Sequence, residues 1–426
     1  MFEEGAYADR AFRAEADAAG LEGRDRALAQ RLAYGTIQRR LTLDHVLAEL
    51  ASRPLERIDA RLRVALELGL FQILFMGAVP DHAAVGETVE LAKAGGAGPG
   101  KFANAVLRRA TREGRALLDA LNDDTPAAAA VLHSHPEWIA ELWWAALGPD
   151  DARALLRRDN EPAESAVRAN TLATSREDLA SELAAAGVAC HPSDPPEALL
   201  LDEPWDVHAS EAFGRGALMP QSRASMLVAR VVDPQPGERV LDLCAAPGAK
   251  STHLAALMGD EGEISAVEIH AGRAEALETN CRRMRAHSVR VVRADALDPP
   301  WGPFDRVLLD APCSGLGTLQ ARPDSRWRRS PERVTELAQL QAQMLEQAAM
   351  RVRAGGTLVY STCTVSPEEN ERVVEGLLAS RDDFAVDDLG VERPAERHPH
   401  DPRMLLVLPH RLGSDGFFVA RLRRAG

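Results

Sequence analysis

No stretch of this chain approaches the unbroken apolar length that a membrane span needs, so the sequence predicts no membrane partner. Met1-Phe2-Glu3-Glu4 lacks the basic-then-apolar order of a secretory signal, and the expected compartment is the cytoplasm. Cysteine is sparse. Five residues, an odd number with no close pair, make neither a disulfide framework nor a zinc knuckle, and no metal is expected. Lysine is scarcer still, occurring only at Lys93, Lys101 and Lys250 in a chain that otherwise uses arginine. An excess of positive charge is missing as well: the net charge of -14 argues at first against a nucleic-acid partner, because phosphate binding rests on basic patches.

The distribution of that charge weakens the exclusion. Residues 1–130 carry 17 basic and 19 acidic groups, 131–215 carry 6 and 16, and 216–426 carry 27 and 29. The excess acid is therefore concentrated in the middle segment. Arginines gather at Arg282, Arg283, Arg285, Arg290 and Arg293, and again at Arg322, Arg326, Arg328 and Arg329. Each cluster reads either as a solvated face or as a contact to phosphate. With 426 residues and 46% hydrophobic content, the chain has room for two or three domains with proper cores.

From Asp25 to Arg109 the pattern is helical, with apolar residues recurring at three and four and breaks at Pro54, Pro80 and Gly95-Gly96. Helices are expected over 26–35, 43–50, 58–76, 83–93 and 101–110, which makes residues 1–126 an all-α bundle. Ala127 to Ala130 is low in complexity and follows Asn122-Asp123-Asp124-Thr125-Pro126, a domain boundary by composition. Residues 131–215 mix helix (137–147, 150–158, 176–186) with a strand-like run at 165–170, as in a small α+β domain. Trp138, Trp143 and Trp144 read as core rather than as platforms for bases. From 216 to 426, strands expected at 239–243, 263–268, 289–293, 304–309 and 357–360 alternate with helices, which predicts a parallel doubly wound α/β sheet of Rossmann type. Two late runs, 404–408 and 416–422, are expected to close the sheet as an antiparallel edge.

Each strand of that sheet hands polar residues to one edge: the turn Cys244-Ala245-Ala246-Pro247-Gly248-Ala249-Lys250, then Glu268, Asp295, Asp310 with Cys313, and Cys363. Ligands of open α/β sheets bind at the carboxyl ends of the strands. Glu268, about 20 residues past the glycine turn, suits a ribose hydroxyl pair. The G-x-G-x-x-G of a dinucleotide site is missing, and Gly248-Ala249-Lys250-Ser251 lacks the glycine that a P-loop places before its lysine. What remains is a nucleoside cofactor without phosphate, and S-adenosylmethionine is one. Lysine at position 250 supplies a compact point charge whose pKa shifts readily.

One cysteine past a strand is most simply a small buried hydrophobe. Two at equivalent strand ends beside a cofactor turn point to chemistry. Carbon 5 of a pyrimidine is a poor nucleophile until something adds across the C5–C6 bond, and a thiolate can do so. The arrangement is read with Cys363 attacking C6, Asp310 protonating N3, Cys313 aiding C5-proton removal and enzyme release, and Lys250 holding Asp310. Spacing alone does not set the order of the two cysteines.

The motifs Cys244-Ala-Ala-Pro-Gly-Ala-Lys250, Asp310-Ala-Pro-Cys-Ser-Gly-Leu-Gly317, Pro323-Asp324 with Trp327, Ser361-Thr-Cys-Thr-Val-Ser-Pro-Glu-Glu-Asn370 and Asp415-Gly-Phe-Phe418 resemble the RNA cytosine-C5 methyltransferases. Arg168-Ala-Asn-Thr-Leu172 resembles the auxiliary domain of that family. The words Arg24-Asp25-Arg26-Ala27, Leu32-Ala33-Tyr34-Gly35 and Lys101-Phe102-Ala103-Asn104 resemble a NusB-like RNA-binding domain, although the first helix of that domain is not evident ahead of Tyr7, as if the start were set downstream or the helix lost. Ala249 and Ser251 stand where the family has glycine and threonine. Together the segments resemble the bacterial small-subunit ribosomal RNA methyltransferases. That resemblance implies 16S rRNA as substrate, probed before full subunit assembly, Cys363 as covalent nucleophile, and S-adenosylmethionine held by 244–250, Glu268, Asp295 and Asp310. A monomer is expected. A transfer-RNA methyltransferase and a non-catalytic RNA-binding assembly factor are the competing readings.

Overall fold

Prolines, glycines and capping side chains set the helix limits along the first third of the chain. In the computed structural model, which describes residues 8–300 and 302–426, helices run over Ala8–Ala18, Gly23–Gln38, Arg40–Leu50, Ala60–Phe75, Asp81–Lys93 and Ala97–Asp119. The Asp59 carboxylate accepts from the amides of Arg61 and Leu62 and so starts one of them, while Pro80 precedes another. Leu43, Leu47, Leu66, Leu70, Ile73 and Leu107 form the fully buried centre of this bundle. The question raised for the sequence ahead of Tyr7 lies outside the described residues.

Two of the expected limits shift. The final helix of the bundle continues to Asp119 rather than stopping near Ala110, since Thr111 to Asp119 keeps the apolar spacing and Arg109 pairs with Glu113 one turn on. Ala127 to Ala130, low in complexity, lies inside a helix, Pro126–His133, capped by the Thr125 hydroxyl on the Ala128 amide. Alanine is the strongest helix former, so low complexity here encodes structure.

Contacts divide the chain into two compact units, Met1–Glu161 with Leu319–Arg328, and Pro162–Thr318 with Arg329–Gly426. Helices Glu137–Leu147 and Pro149–Arg158 thus sit in the first unit. Trp143 is fully buried, and Trp138 and Trp144 are partly so. The segment 319–328 is tied into that unit by Arg326, which donates to the carbonyls of Ser134 (3.0 Å) and Asp159 (3.1 Å) and to Asn160 Oδ1 (3.1 Å), and by Trp327 Nε1, which donates to the Ile37 carbonyl at 2.8 Å.

The second unit holds two sheets. Strands β1 (Ala166–Ala169), β2 (Cys190–Pro192), β3 (Ala198–Leu201) and β4 (Leu218–Pro220) form an antiparallel sheet in the order β2-β3-β1-β4, with the helix Arg176–Ala185 against it. The larger sheet contains β5 (Arg239–Leu243), β6 (Glu263–Val267), β7 (Val289–Val292), β8 (Phe304–Asp310), β9 (Val352–Thr362), β10 (Phe384–Val386), β11 (Leu405–Val407) and β12 (Phe417–Arg424). Its order is β10-β12-β9-β8-β5-β6-β7, with β11 paired to β12. Strands β5 to β9 pair in parallel, and the order reverses between β5 and β8, which creates a crevice at their carboxyl ends. The expected closing pair is antiparallel, but β12 is not the edge: it lies between β9 and the three-residue β10, which is too short to leave a periodic signal.

Candidate active site

The turn after β5 reverses sharply. Cys244 takes a positive φ of 64° and Gly248 one of 104°, and a Cβ on Gly248 would lie 2.7 Å from Leu277 Cδ1. Only glycine meets both demands at that position. The Pro247 carbonyl accepts from Asn280 Nδ2 at 2.9 Å, and the helix Ala249–Leu257 starts at once, which aims its first amides at the crevice. Ala249 and Ser251 are ordinary helical residues. Ser251 donates to Asp242 Oδ2 at 2.6 Å, a carboxyl at the buried end of β5 whose pKa burial pushes up to about 7.

Lys250 reaches across the edge to Asp310, the last residue of β8, with Nζ 2.7 Å from Oδ2. Ser361, on β9, donates to Asp310 Oδ1 at 2.9 Å. Burial by itself would lower the Lys250 pKa, but Asp310 outweighs it, with help from Cys363 and Asp242, and the ammonium is held charged. Its Nζ also lies 5.0 Å from the centroid of Phe417.

The two cysteines meet. Cys313, three residues past β8, and Cys363, one residue past β9, place their sulfurs 3.3 Å apart. Contact with Cys363 raises the Cys313 thiol well above its ordinary value, and burial adds to this, so Cys313 keeps its proton. Cys244 is different. Burial, then the charges of Asp310, Asp242 and Glu268, push it up to about 12, which makes it an inert lining thiol.

Glu268 lies just past β6 and is buried, accepting from the His270 amide at 2.9 Å with Arg273 Nε 3.3 Å from its other oxygen. Asp295, past β7, accepts from the Leu297 amide at 2.9 Å and shapes its own turn. All the residues singled out in the sequence therefore lie at one edge, and Lys250, Asp310, Cys313 and Cys363 converge.

Sequence reasoning passed over a second layer. Ser314 and Thr364, each one residue past a cysteine, touch through their hydroxyls at 2.7 Å, and Ser314 also bonds Glu369. Their place directly after each cysteine was a usable signal. Gln341, inside the helix Pro331–Arg351, had none, yet it donates to the Pro312 carbonyl at 2.8 Å. Two arginines drop out as free cations. Arg326 is fully buried, and Arg283 donates to the Phe213 and Leu218 carbonyls and stacks 3.7 Å over Phe213. Each cluster thus includes a structural arginine rather than only a charged face.

The lining suits a cationic nucleoside. Glu268 and Asp310, at the ends of the strands on either side of β5, flank a turn with no glycine nest for phosphate, Asp295 follows the next strand out, and a sulfonium rather than a pyrophosphate complements these carboxylates. A doubly wound sheet with this turn at its switch point is the class of S-adenosylmethionine-dependent methyltransferases. The family profile described as 16S rRNA methyltransferase RsmB/F matches residues 229–423, a NusB family profile matches 1–112, and the ferredoxin-like domain of RsmF/B-like methyltransferases matches 135–208. The chain is 34% identical over 418 residues to the probable ribosomal RNA small subunit methyltransferase B of Bacillus subtilis (strain 168), covering 95% of this chain and 92% of that one. It is 36% identical to the probable counterpart of Synechocystis sp., over 94% of this chain and 92% of that one. Among solved structures, PH0851 superposes with a TM-score of 0.81 at 28% identity, covering 97% of this chain and 93% of that one. NSun6 from Pyrococcus horikoshii, solved with the S-adenosylmethionine analogue SFG, has a TM-score of 0.63 at 25% identity, over 69% of this chain and all of that one. The chain belongs to the RsmB/F family of S-adenosylmethionine-dependent ribosomal RNA methyltransferases.

Proposed function

We propose that the protein methylates carbon 5 of a cytosine in 16S rRNA through a covalent adduct, and that residues 1–126, 131–215 and 216–426 divide the work as RNA-binding, auxiliary and catalytic domains. The observation that carries the reading is the sulfur pair of Cys313 and Cys363 at 3.3 Å beside the Lys250–Asp310 ion pair at 2.7 Å. Bound S-adenosylmethionine supplies an electrophilic methyl group, with residues 244–250, Glu268, Asp295 and Asp310 as its contacts.

The Cys363 thiolate forms a bond to C6 while Asp310 delivers to N3 a proton drawn from the Lys250 ammonium, and C5 becomes nucleophilic enough to take the methyl group. Lys250 is left neutral on the Asp310 carboxylate, which it still holds in place. With the help of Cys313, the C5 proton then passes to a solvent water, its electron pair restores the C5–C6 double bond, and the C6–sulfur bond breaks to return Cys363 as thiolate. N3 returns its proton through Asp310 to Lys250, which restores the ion pair. The raised thiol of Cys313 suits a group that holds a proton while its neighbour attacks.

Cys363→Ala is expected to abolish turnover and adduct formation, whereas Cys313→Ala accumulates a covalent protein–RNA species that denaturing gels resolve. A trap formed by Cys363→Ala instead reverses the two roles. The reading places the protein in the cytoplasm as a monomer acting on small-subunit rRNA before assembly is complete. Among the described residues no helix is long and apolar enough to cross a membrane.

A further inference from the structure

The loops that carry the two cysteines are joined by a buried polar chain outside the reacting groups. Ser314 donates its amide to Glu369 Oε1 at 2.7 Å and its hydroxyl to Glu369 Oε2. A serine hydroxyl has one proton, so the 2.7 Å contact between Ser314 and Thr364 requires Thr364 to be the donor. The order is therefore Thr364 to Ser314 to the Glu369 carboxylate. Gln341 Nε2 adds a bond to Glu369 Oε1 at 3.1 Å and one to the Pro312 carbonyl, and since both partners are acceptors its amide orientation is settled. Asn370 closes the other side, accepting from the Thr362 hydroxyl at 2.6 Å and donating to the Thr364 carbonyl at 3.1 Å. Tyr360 donates to the Glu369 carbonyl at 2.6 Å. The residues flanking both cysteines are thus held by one cluster, in which Ser314, Gln341, Thr364 and Glu369 have no exposed surface.

Every hydrogen bond that Glu369 accepts comes from a neutral donor, and although the charge of Arg329 favours its ionised form, burial outweighs this and raises its pKa. A carboxylate so buried is costly, and packing alone would be served as well by an uncharged group of the same shape. An acceptor-only group does what a glutamine cannot: it takes both Ser314 donors at once and fixes the direction of the hydroxyl chain. We infer that Glu369 is a positioning residue, acting through Ser314 and Thr364 to lock the Cys313 and Cys363 loops together and hold the two sulfurs in register for the reaction. The inference rests on the two-cysteine reading above and adds a residue to it.

The test compares Glu369→Gln, Ser314→Ala and their combination, with Thr364→Val and Thr364→Ser as shape-preserving controls. Each of the first two is expected to lower kcat by about 10- to 100-fold, the scale of a small misplacement of reacting groups. KM for the rRNA transcript, the S-adenosylmethionine Kd and the unfolding midpoint should stay near those of the parent protein. The double variant should fall little below the worse single one, because both break the same chain. Thr364→Val should reproduce the loss, and Thr364→Ser should restore activity. Losses that multiply in the double variant, or a lowered midpoint with kcat unchanged, overturn the inference. Adduct formation with 5-fluorocytidine-containing RNA separates the two readings: no adduct with the parent protein sinks the two-cysteine chemistry itself. An adduct formed by Glu369→Gln at the parent rate sinks only the role given to Glu369.

Discussion

Asp242 shows how much one side chain can tie to its surroundings. It sits in the core at the end of β5, fully buried, with Ser251 on one oxygen, and burial together with the charge of Asp310 moves its carboxyl from 3.8 to about 7. Between those values the native state binds a proton that the unfolded chain has released. Stability from this residue is therefore complete below about pH 4 and is lost as the pH rises through 7. Asp242→Asn keeps an acceptor for Ser251 and removes the charge, so its gain over the parent protein should grow from pH 5 to pH 8, reaching a few kcal/mol (on the order of 1.4 per pKa unit). Urea unfolding at the two pH values checks it; a difference that does not change with pH refutes it. His253 works in the opposite sense. Burial and Arg168 depress it to about 4, so it loses stability as the pH falls below its unfolded value of 6.5 toward 4.

At the scale of elements, the site depends on two strand ends meeting a third loop. Gly317, the last residue of the Cys313 motif, packs on the backbone before β12: its carbonyl accepts from the Gly416 amide at 2.7 Å, and a Cβ on Gly317 would lie 2.1 Å from the Gly416 carbonyl oxygen. No side-chain rotation relieves a clash with backbone. Gly317 also donates its amide to the Cys363 carbonyl at 3.0 Å, so the same contact holds the Cys363 loop. Gly317→Ala should cost at least about 1–3 kcal/mol in unfolding free energy and lower methyl transfer along with it. An unchanged unfolding midpoint, measured by calorimetry, would rule that out. The network through Glu369 belongs to the same scale, since it couples the loops after β8 and β9 rather than any single residue.

For the whole molecule, the question is which RNA the charge distribution admits. The net charge of -14 disfavours indiscriminate phosphate binding, and with Arg283 and Arg326 committed to carbonyls the usable cations are fewer than the sequence clusters imply. On the proposed function, in which residues 1–126 bind the RNA, few phosphate contacts favour one structured site over many. Bisulfite sequencing of total RNA from a strain lacking the protein should show one 5-methylcytidine missing from 16S rRNA, with transfer RNA unchanged. Loss confined to transfer RNA would move the substrate and leave the chemistry standing.

The sequence by itself determined the sheet and which lysine, acidic and thiol groups it brings to one edge, because strand periodicity, a glycine turn and polar groups at strand ends are local signals. Lys250, Asp310, Cys313 and Cys363 were legible in this way, and so were five parallel strands. It left β10 unseen, because three residues carry no period, and it did not show that Ala127 to Ala130 is helical. Tertiary structure alone decided which cations are buried, that β12 enters the sheet inside β10, and that Gln341 and Glu369 converge behind the cysteines from 28 residues apart. The reason is physical: a hydrogen bond between distant residues has no footprint in either one's neighbours, whereas a turn or an amphipathic stripe is written in consecutive residues.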